Sequence, residues 1–285
     1  MTTSTRTSRE LEQLIAGVPA SDGAGVQLQR VLTQDLQKRL DPFLMLDEFR
    51  SDNPGDYLAG FPDHPHRGFE TVTYMLAGKM RHFDNKGNEG LLVSGGAQWM
   101  TAGSGLVHSE LPEQEDGLMH GFQLWVNLPA QNKMIDPGYQ DLTPDQLPTY
   151  TSESGAQVTV LAGVSEGVEG PVQRPDTHPL YIDVHLSEGT SHWQDIPAGH
   201  NAFVYVYEGE ISTGAEGRKV GFRRMGILNN ASEATGIQLT ALKEAKLLII
   251  AGQPLREPIA QWGPFVMNTH EELEQAVRDF RAGKF

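Results

Sequence analysis

The chain has 285 residues and no cysteine, and its 37 acidic and 22 basic side chains give a formal net charge of −15. This negative charge argues against direct binding to nucleic acids or anionic membranes, and the lack of cysteine excludes disulfides, thiolate nucleophiles and zinc–thiolate sites. No apolar run approaches the roughly 20 residues that span a bilayer, and the first residues do not resemble a secretory signal, so we expect a cytoplasmic protein.

The first part of the chain is rich in predicted β-strands. Residues 10–15 could form a short helix, which the following glycines and prolines would end. From about residue 26 to 135, short alternating segments are separated by turn clusters, and the clearest are 69–76 and 120–128. In the second of these, Phe122, Leu124 and Val126 share one face. Short strands at this spacing predict an antiparallel sandwich or barrel.

A second set of predicted strands follows a proline-rich linker at 129–150. These strands cover 158–161, 180–186, 202–207 and 246–251. Residues 74–80 and 205–211 both read as a strand that enters a tight turn, which suggests two similar β domains. The predicted division is 1–135, a metal-binding domain, and 136–285, a metal-free domain that carries a C-terminal helix.

The predicted C-terminal helix has clear signals at both ends. Thr269 and Glu272 have the spacing of a capping box. Leu273, Ala276, Val277 and Phe280 follow at helical spacing. Gly283 can end the helix. The simplest interpretation is a helix packed on the β-sandwich.

Two histidine motifs carry the chemistry. His64 and His66 are two residues apart, so on an extended segment both rings lie on one face, and Pro65 favours that extension. His108 and Glu110 repeat the spacing after Gly103 and Gly105. If the two segments are neighbouring strands, three imidazoles and a carboxylate converge, a set suited to a divalent first-row metal with open positions.

The remaining histidines are isolated, and the simplest interpretation of each is a structural or surface role. His120 is the best candidate for an exception, since it lies near the alternating strand that contains Gln123 and Trp125. The second half of the chain has no paired histidines, which predicts that it binds no metal.

Several long motifs resemble the pirin family of the cupin superfamily. They include 40–49, 64–71, 98–103, 123–128, 252–259 and 263–269, and the resemblance covers nearly the whole chain. It implies an all-β fold, with two jelly-roll cupin sandwich domains in one chain and a short C-terminal helix. It also implies one metal, most often Fe(II), with Mn, Ni, Co or Cu as alternatives.

The resemblance also implies a ligand set. Spacing alone leaves the carboxylate open, because Glu70 has the right parity but lies four residues beyond His66, roughly 13 Å along an ideal strand. In pirins the glutamate comes from the second motif. The implied ligands are therefore His64, His66, His108 and Glu110.

The implied activity is that of a quercetin 2,3-dioxygenase, which would cleave quercetin or a related flavonol with dioxygen. Glu110 would be both ligand and base, because it lies within reach of a bound hydroxyl. An apolar lining could come from aromatic and methionine side chains, namely Phe43, Phe49, Phe69, Trp99, Met100 and Trp125, although each could equally be core. Arg67 could stand at the mouth or behind the ligands.

A second hypothesis needs no catalysis. The resemblance also allows a redox-sensing regulator that binds a protein partner through the metal-site face, where a change in metal charge would alter the local electrostatics. The negative charge of the chain means that any role in gene regulation would run through such a partner rather than through direct contact with DNA.

Overall fold

The computed structural model describes residues 6–285. Strands up to residue 146 are β1 (Leu11–Ala16), β2 (Val18–Asp22), β3 (Val26–Leu32), β4 (Phe43–Ser51), β5 (Phe61–His66), β6 (Phe69–Ala77), β7 (Lys79–Asp84), β8 (Glu89–Val93), β9 (Ala97–Thr101), β10 (Leu106–Pro112), β11 (Met119–Asn127) and β12 (Gly138–Leu142). Later elements are β13 (Thr149–Thr151), β14 (Gln157–Ala162), β15 (Val164–Ser165), β16 (Val168–Glu169), β17 (Leu180–Leu186), β18 (Ser191–Asp195), β19 (Asn201–Glu208), β20 (Glu210–Thr213), β21 (Arg218–Gly221), β22 (Arg224–Leu228), β23 (Gly236–Ala241), β24 (Ala245–Gly252), β25 (Ala260–Trp262), β26 (Phe265–Met267) and helix α1 (His270–Arg281). Short 3₁₀ turns occupy Gln34–Leu36, Pro54–Asp56, Ala130–Asn132 and Pro144–Gln146.

The chain folds into two compact units, each assembled from two separate stretches of sequence. Val18–Gln146 and Leu255–Phe285 form what we call the histidine unit, while the stretch up to Gly17 and Leu147–Pro254 form the aliphatic unit. The predicted division into 1–135 and 136–285 differs at both ends of the chain. The reason is long-range packing, since β1 pairs with β22 and α1 packs on β25 and β26.

The histidine unit is an antiparallel β-sandwich. Its larger sheet has the strand order β12-β9-β6-β11-β4-β3-β2, and its smaller sheet has the order β5-β10-β7-β8. Side chains from both sheets meet in one core cluster, where Phe49 and Met75 of the larger sheet join Met80 and Leu92 of the smaller one. The small sheet contains both histidine motifs, so the fold places them side by side.

The aliphatic unit repeats this topology. Its sheets have the orders β1-β22-β19-β24-β17-β14-β13 and β18-β23-β20-β21, which match the histidine unit except that the edge strand equivalent to β12 is β1, from the start of the chain. The similar segments 74–80 and 205–211 lie at equivalent places, where β6 leads into β7 and β19 into β20. The prediction of two similar β domains is therefore confirmed, as is the all-β fold with its C-terminal helix.

The two interiors differ in polarity. In the histidine unit, Gln123 on the central strand β11 pairs with Asp47 and Thr73 on its two neighbours. In the aliphatic unit, Ile249 on the central strand β24 pairs with Ile182 and Val204, and all three lie in a buried aliphatic core. At these three positions the aliphatic unit offers no ligand atoms, whereas the matching positions of the histidine unit carry polar side chains. The prediction that this unit binds no metal stays a prediction.

Of the two helices predicted near the ends of the chain, one is confirmed and the other is wrong. Helix α1 begins as predicted, with both bonds of the capping box formed between Thr269 and Glu272 and with Leu273 and Ala276 buried. The short helix predicted at 10–15 is wrong, because residues 11–15 belong to β1, where Leu11 pairs with Leu228. Within residues 6–285, no helix has the length and hydropathy that crossing a membrane would require.

Candidate metal site

Strand pairing brings three histidines together. β5 and β10 are antiparallel neighbours in which His64 lies directly opposite His108 and His66 lies opposite Leu106. One ring nitrogen from each histidine lies within 4.8 Å of the others. The ring centroids of His64 and His108 are 4.4 Å apart, and those of His64 and His66 are 4.7 Å apart. The predicted convergence of three imidazoles is thus confirmed.

Glycines shape the turn that leads into β10. Gly103 and Gly105 have φ values of +49° and +127°, in the region that favours glycine. A Cβ atom on Gly103 would lie 2.2 Å from the carbonyl oxygen of Ile135, so no other residue fits without a shift. This turn sets the position of His108.

The imidazoles are poised to accept a cation. Burial lowers the pKa of both His66 and His108 well below the ordinary value, and the neighbouring histidines lower it further. Neither ring nitrogen of His108, nor Nδ1 of His66, has a hydrogen-bond partner within residues 6–285. Buried polar atoms without partners are costly, so neutral rings with free lone pairs fit a metal ion.

His64 has a defined tautomer. Its Nδ1 lies 2.8 Å from the carbonyl oxygen of Pro62. A carbonyl oxygen only accepts, so Nδ1 carries the proton and donates it, and in the neutral ring Nε2 keeps the lone pair. A hydrogen bond of this kind also fixes the ring orientation of a ligating histidine.

Glu110 is buried beside this cluster but belongs to a different hydrogen-bond network. Its carboxylate accepts hydrogen bonds from the Thr73 hydroxyl at 3.1 Å and from Nε2 of Gln123 at 3.0 and 3.2 Å. The register of β5 and β10 shifts between His108 and Glu110, which breaks the simple alternation along β10. The predicted four-residue set is therefore present as three clustered histidines and one neighbouring, separately held carboxylate.

The competing glutamate, Glu70, occupies another environment. It is 2% exposed on β6 and accepts a hydrogen bond from the Thr101 hydroxyl at 2.7 Å. Its neighbour on β9 is also Thr101. Neither Glu70 nor Glu110 is a member of the three-histidine group.

A cavity of about 510 Å³ opens onto the histidines, and His64, His66 and Gln123 line it. Of the predicted wall residues, Phe49 and Trp125 also line it. Phe69 packs behind them, with its ring centroid 4.3 Å from Trp125 and 5.1 Å from His66. Phe43, Trp99 and Met100 are buried as core residues. A largely apolar cavity with a few convergent polar groups is typical of a small-molecule site.

Arg67 and His120 have structural partners. The Arg67 guanidinium donates to Asp279 of helix α1 at 2.9 Å and lies 4.2 Å from the ring centroid of Phe285, so it anchors the C-terminal segment. Nε2 of His120 is 3.0 Å from Glu48, and both side chains are buried.

Sequence reasoning missed the polar residues that hold Glu110. Gln123 and Thr73 lie on strands with a predicted alternation, but the prediction concerned the face formed by Phe122, Leu124 and Val126. The opposite face, with Gln123 and Trp125, lines the cavity. The signal in the sequence that could have identified them was Gln123, a glutamine between the apolar residues Phe122 and Leu124 of a buried strand.

The chain is similar to known proteins along most of its length. Family models for pirin and for the pirin C-terminal cupin domain match residues 25–126 and 181–285. A Pseudomonas aeruginosa protein provisionally named a quercetin 2,3-dioxygenase is 51% identical, with 96% of this chain and 97% of that protein aligned. Human pirin is 42% identical over 93% of this chain and 89% of its own length. The crystal structure of a quercetin 2,3-dioxygenase from Acinetobacter baumannii matches with a TM-score of 0.91 and 33% identity, covering 98% of this chain and 99% of that one.

Proposed function

The chain belongs to the pirin family, and on that premise we propose that it is a metal-dependent dioxygenase that cleaves quercetin or a related flavonol. The observation that carries the proposal is the group of three histidines beside a largely apolar cavity, in which His66 and His108 are buried with unpaired ring nitrogens and His64 and His66 line the cavity. The names of the Pseudomonas and Acinetobacter proteins support the substrate class.

We propose that His64, His66, His108 and Glu110 hold one divalent metal. Three imidazoles and one carboxylate suit Fe(II), and also Mn, Ni, Co or Cu. When bound, such a metal supplies a Lewis acid with open positions for a substrate oxygen and for dioxygen. The fit rests on the unpaired nitrogens of His66 and His108, which hydrogen bonds within the described chain leave free.

Glu110 is proposed to take the proton from the flavonol hydroxyl. Gln123 donates to both of its oxygens, and Thr73 donates to one, so the carboxylate is held in a fixed orientation. Because Gln123 also lines the cavity, the network of Glu110 reaches the place where a substrate would lie. To ligate a metal, the carboxylate would exchange one of these bonds.

The cavity walls are proposed to orient a flat ring system. Phe49, Phe61 and Trp125 line the cavity and offer aromatic surfaces for stacking. His66 packs edge-on against Trp125, with ring centroids 5.3 Å apart, so a ring held by the wall lies close to the histidines.

Oxygen uptake with quercetin tests the activity. We expect the iron-reconstituted protein to consume one dioxygen per flavonol and to release carbon monoxide, at a rate well above that of free iron at equal concentration. His108→Ala is the matched control and should lose both bound iron and turnover. A rate equal to that of free iron would contradict the proposed dioxygenase activity. Oxidation-dependent capture of a protein partner would then favour the regulatory hypothesis.

A further inference from the structure

The wall of the histidine cavity includes a buried carboxylate to which the proposed reaction gives no role. Met45, Asp47 and Phe49 alternate along β4 and all line the cavity, so these three side chains point to the same side of the sheet. The side chain of Asp47 is only 5% exposed. A carboxylate at this position needs compensating partners, because a buried charge is costly without them.

The guanidinium of Arg30 holds this carboxylate in one orientation. Arg30 and Asp47 are cross-strand partners on β3 and β4. Nε and Nη2 of Arg30 donate to Oδ1 and Oδ2 of Asp47 at 3.0 and 2.8 Å, and Nη2 also donates to Asp22 at 3.0 Å. A bidentate pair of this kind fixes the plane of the carboxylate. Each oxygen of Asp47 accepts one bond from Arg30 and has the capacity to accept another.

The ion pair does not fully replace the water that Asp47 loses. Burial raises the pKa of the Asp47 carboxyl, and this effect exceeds the lowering by Arg30. Asp22 also lines the cavity, so two acids share one base and the group carries a net negative charge. A site of this charge favours a ligand that donates a hydrogen bond and disfavours an anion.

Asp47 lies one strand away from the residue that orients Glu110. Gln123 on β11 is the cross-strand partner of Asp47, and its side-chain amide donates to Glu110. Neighbouring strands are about 4.8 Å apart. A flat ligand whose reacting hydroxyl lies beside Glu110 can therefore present a second polar group to Asp47, with Phe49 as an aromatic surface next to it.

We propose that Asp47, held by Arg30, determines substrate specificity by accepting a hydrogen bond from a phenolic hydroxyl on a ring remote from the reacting hydroxyl. The inference rests on the proposed function, since it takes the ligand to be a flavonol whose 3-hydroxyl faces Glu110. Asp47 then selects flavonols with further ring hydroxyls over those without them, because only the former satisfy its buried carboxylate.

Binding measured without dioxygen tests this specificity separately from turnover. Three flavonols are titrated into the intact, iron-loaded protein by calorimetry: 3-hydroxyflavone has no further hydroxyl, galangin adds hydroxyls on the fused ring, and kaempferol adds one more on the pendant ring. We expect kaempferol to bind about tenfold or more tightly than 3-hydroxyflavone, since a hydrogen bond to a charged group is worth at least that factor. Galangin shows which ring faces Asp47, because it matches kaempferol if the fused ring does and matches 3-hydroxyflavone if the pendant ring does. Equal binding of all three would overturn the proposal.

Variants of Asp47 connect the selectivity to this side chain. Asp47→Leu removes the acceptor and should weaken kaempferol about tenfold or more, while 3-hydroxyflavone changes by less than about twofold. Asp47→Asn keeps the shape but removes the charge, so it should weaken kaempferol by a smaller factor, about threefold or more. Glu115→Gln, an exposed acid of the same unit outside the cavity, is the control and should change neither ligand by more than about twofold. If Asp47→Leu does not fold, the Asp47→Asn result decides, and equal losses for both ligands would refute the proposal.

Oxygen uptake on the same ligands separates this inference from the proposed activity. Selective binding through Asp47 without turnover would refute the dioxygenase and leave Asp47 as a determinant of flavonol binding. Turnover of all three flavonols that Asp47→Leu lowers equally would refute the role of Asp47 and leave the dioxygenase standing. Failure of all three flavonols to bind would refute both.

Discussion

At the scale of single residues, two buried glutamates of the histidine unit have sharply different expected roles. Glu110 accepts hydrogen bonds from Thr73 and Gln123 beside the histidine cluster, whereas Glu70 is bonded to Thr101. We predict that Glu110→Gln retains part of the bound metal but lowers flavonol turnover by about 10²-fold or more, because it removes the proton acceptor.

Glu70→Gln is the matched control, since it neutralises an equally buried carboxylate in the same unit. It should leave metal content and turnover within about twofold of the starting protein. Metal analysis and oxygen uptake, measured on both variants, show which of Glu110 and Glu70 is the functional carboxylate. Loss of turnover in Glu70→Gln alone would assign the carboxylate role to the first motif instead.

His192 gives a pH prediction for the aliphatic unit. Burial lowers its pKa to about 4, and neither ring nitrogen has a partner within the described residues. In the unfolded chain His192 binds a proton near pH 6.5, whereas in the folded unit it does so only near pH 4. On acidification between these two values, the free energy of unfolding therefore falls by about 1.4 kcal/mol per pH unit. His192→Leu should reduce the pH dependence by this amount, with the share of the other buried histidines unchanged, and should be nearly neutral at pH 7.

Urea unfolding at pH 7, 5.5 and 4.5 measures this slope. His270→Gln, at the exposed start of helix α1, is the control and should keep the slope of the starting protein. An unchanged pH dependence in His192→Leu would show that the folded unit accepts the proton at His192.

At the scale of elements, helix α1 depends on one buried ion pair. Arg67 donates to Asp279 at 2.9 Å, and both side chains are mostly buried. Removing one partner of a buried pair leaves the charge of the other less compensated. We predict that Arg67→Met costs about 1–3 kcal/mol, because Lys284 and Gln275 still contact Asp279. The double variant with Asp279→Leu should recover part of the loss.

Arg278→Met on the same helix is the control. Its pair with Glu274 is exposed, at 3.5 Å and i,i+4 spacing, so its loss should cost less than about 0.5 kcal/mol. Thermal unfolding of the three variants measures the costs. Equal losses in Arg67→Met and Arg278→Met would contradict an anchoring role for Arg67.

Elements were predictable where local signals decide them. Helix α1 could be predicted because its capping box and apolar spacing lie within one short segment. Strand β1 could not, because its residues form a strand only by pairing with β22, which follows some two hundred residues later. The histidine cluster was predictable because paired spacing in two segments needed only neighbouring strands. The hydrogen bonds from Gln123 to Glu110 could not be predicted, since they depend on how one sheet packs against the other.

At the scale of the whole molecule, the repeat could be predicted but its boundaries could not. Alternating apolar residues and the spacing of turn clusters predict strands, and similar strand–turn segments in both halves predict two similar domains. Which sheet a terminal segment joins depends on distant contacts, such as those of β1 with β22 and of α1 with β26. The outcome is that each unit is closed by a segment from the far end of the chain.

This crossed arrangement gives a prediction for metal binding. A metal that binds only the folded histidine unit stabilises it by RT ln(1 + [L]/Kd), about 2.7 kcal/mol at a hundredfold excess over Kd. Amide hydrogen exchange should therefore slow in 18–146 and in 255–285, including α1, while 147–254 changes little. The response of α1 is decisive, because the continuous division at residue 136 would place it with 147–254.

Exchange measured with and without Fe(II), beside His108→Ala as the control that should show no metal effect, tests this. An α1 that follows 147–254 instead would refute the assignment of the helix to the histidine unit.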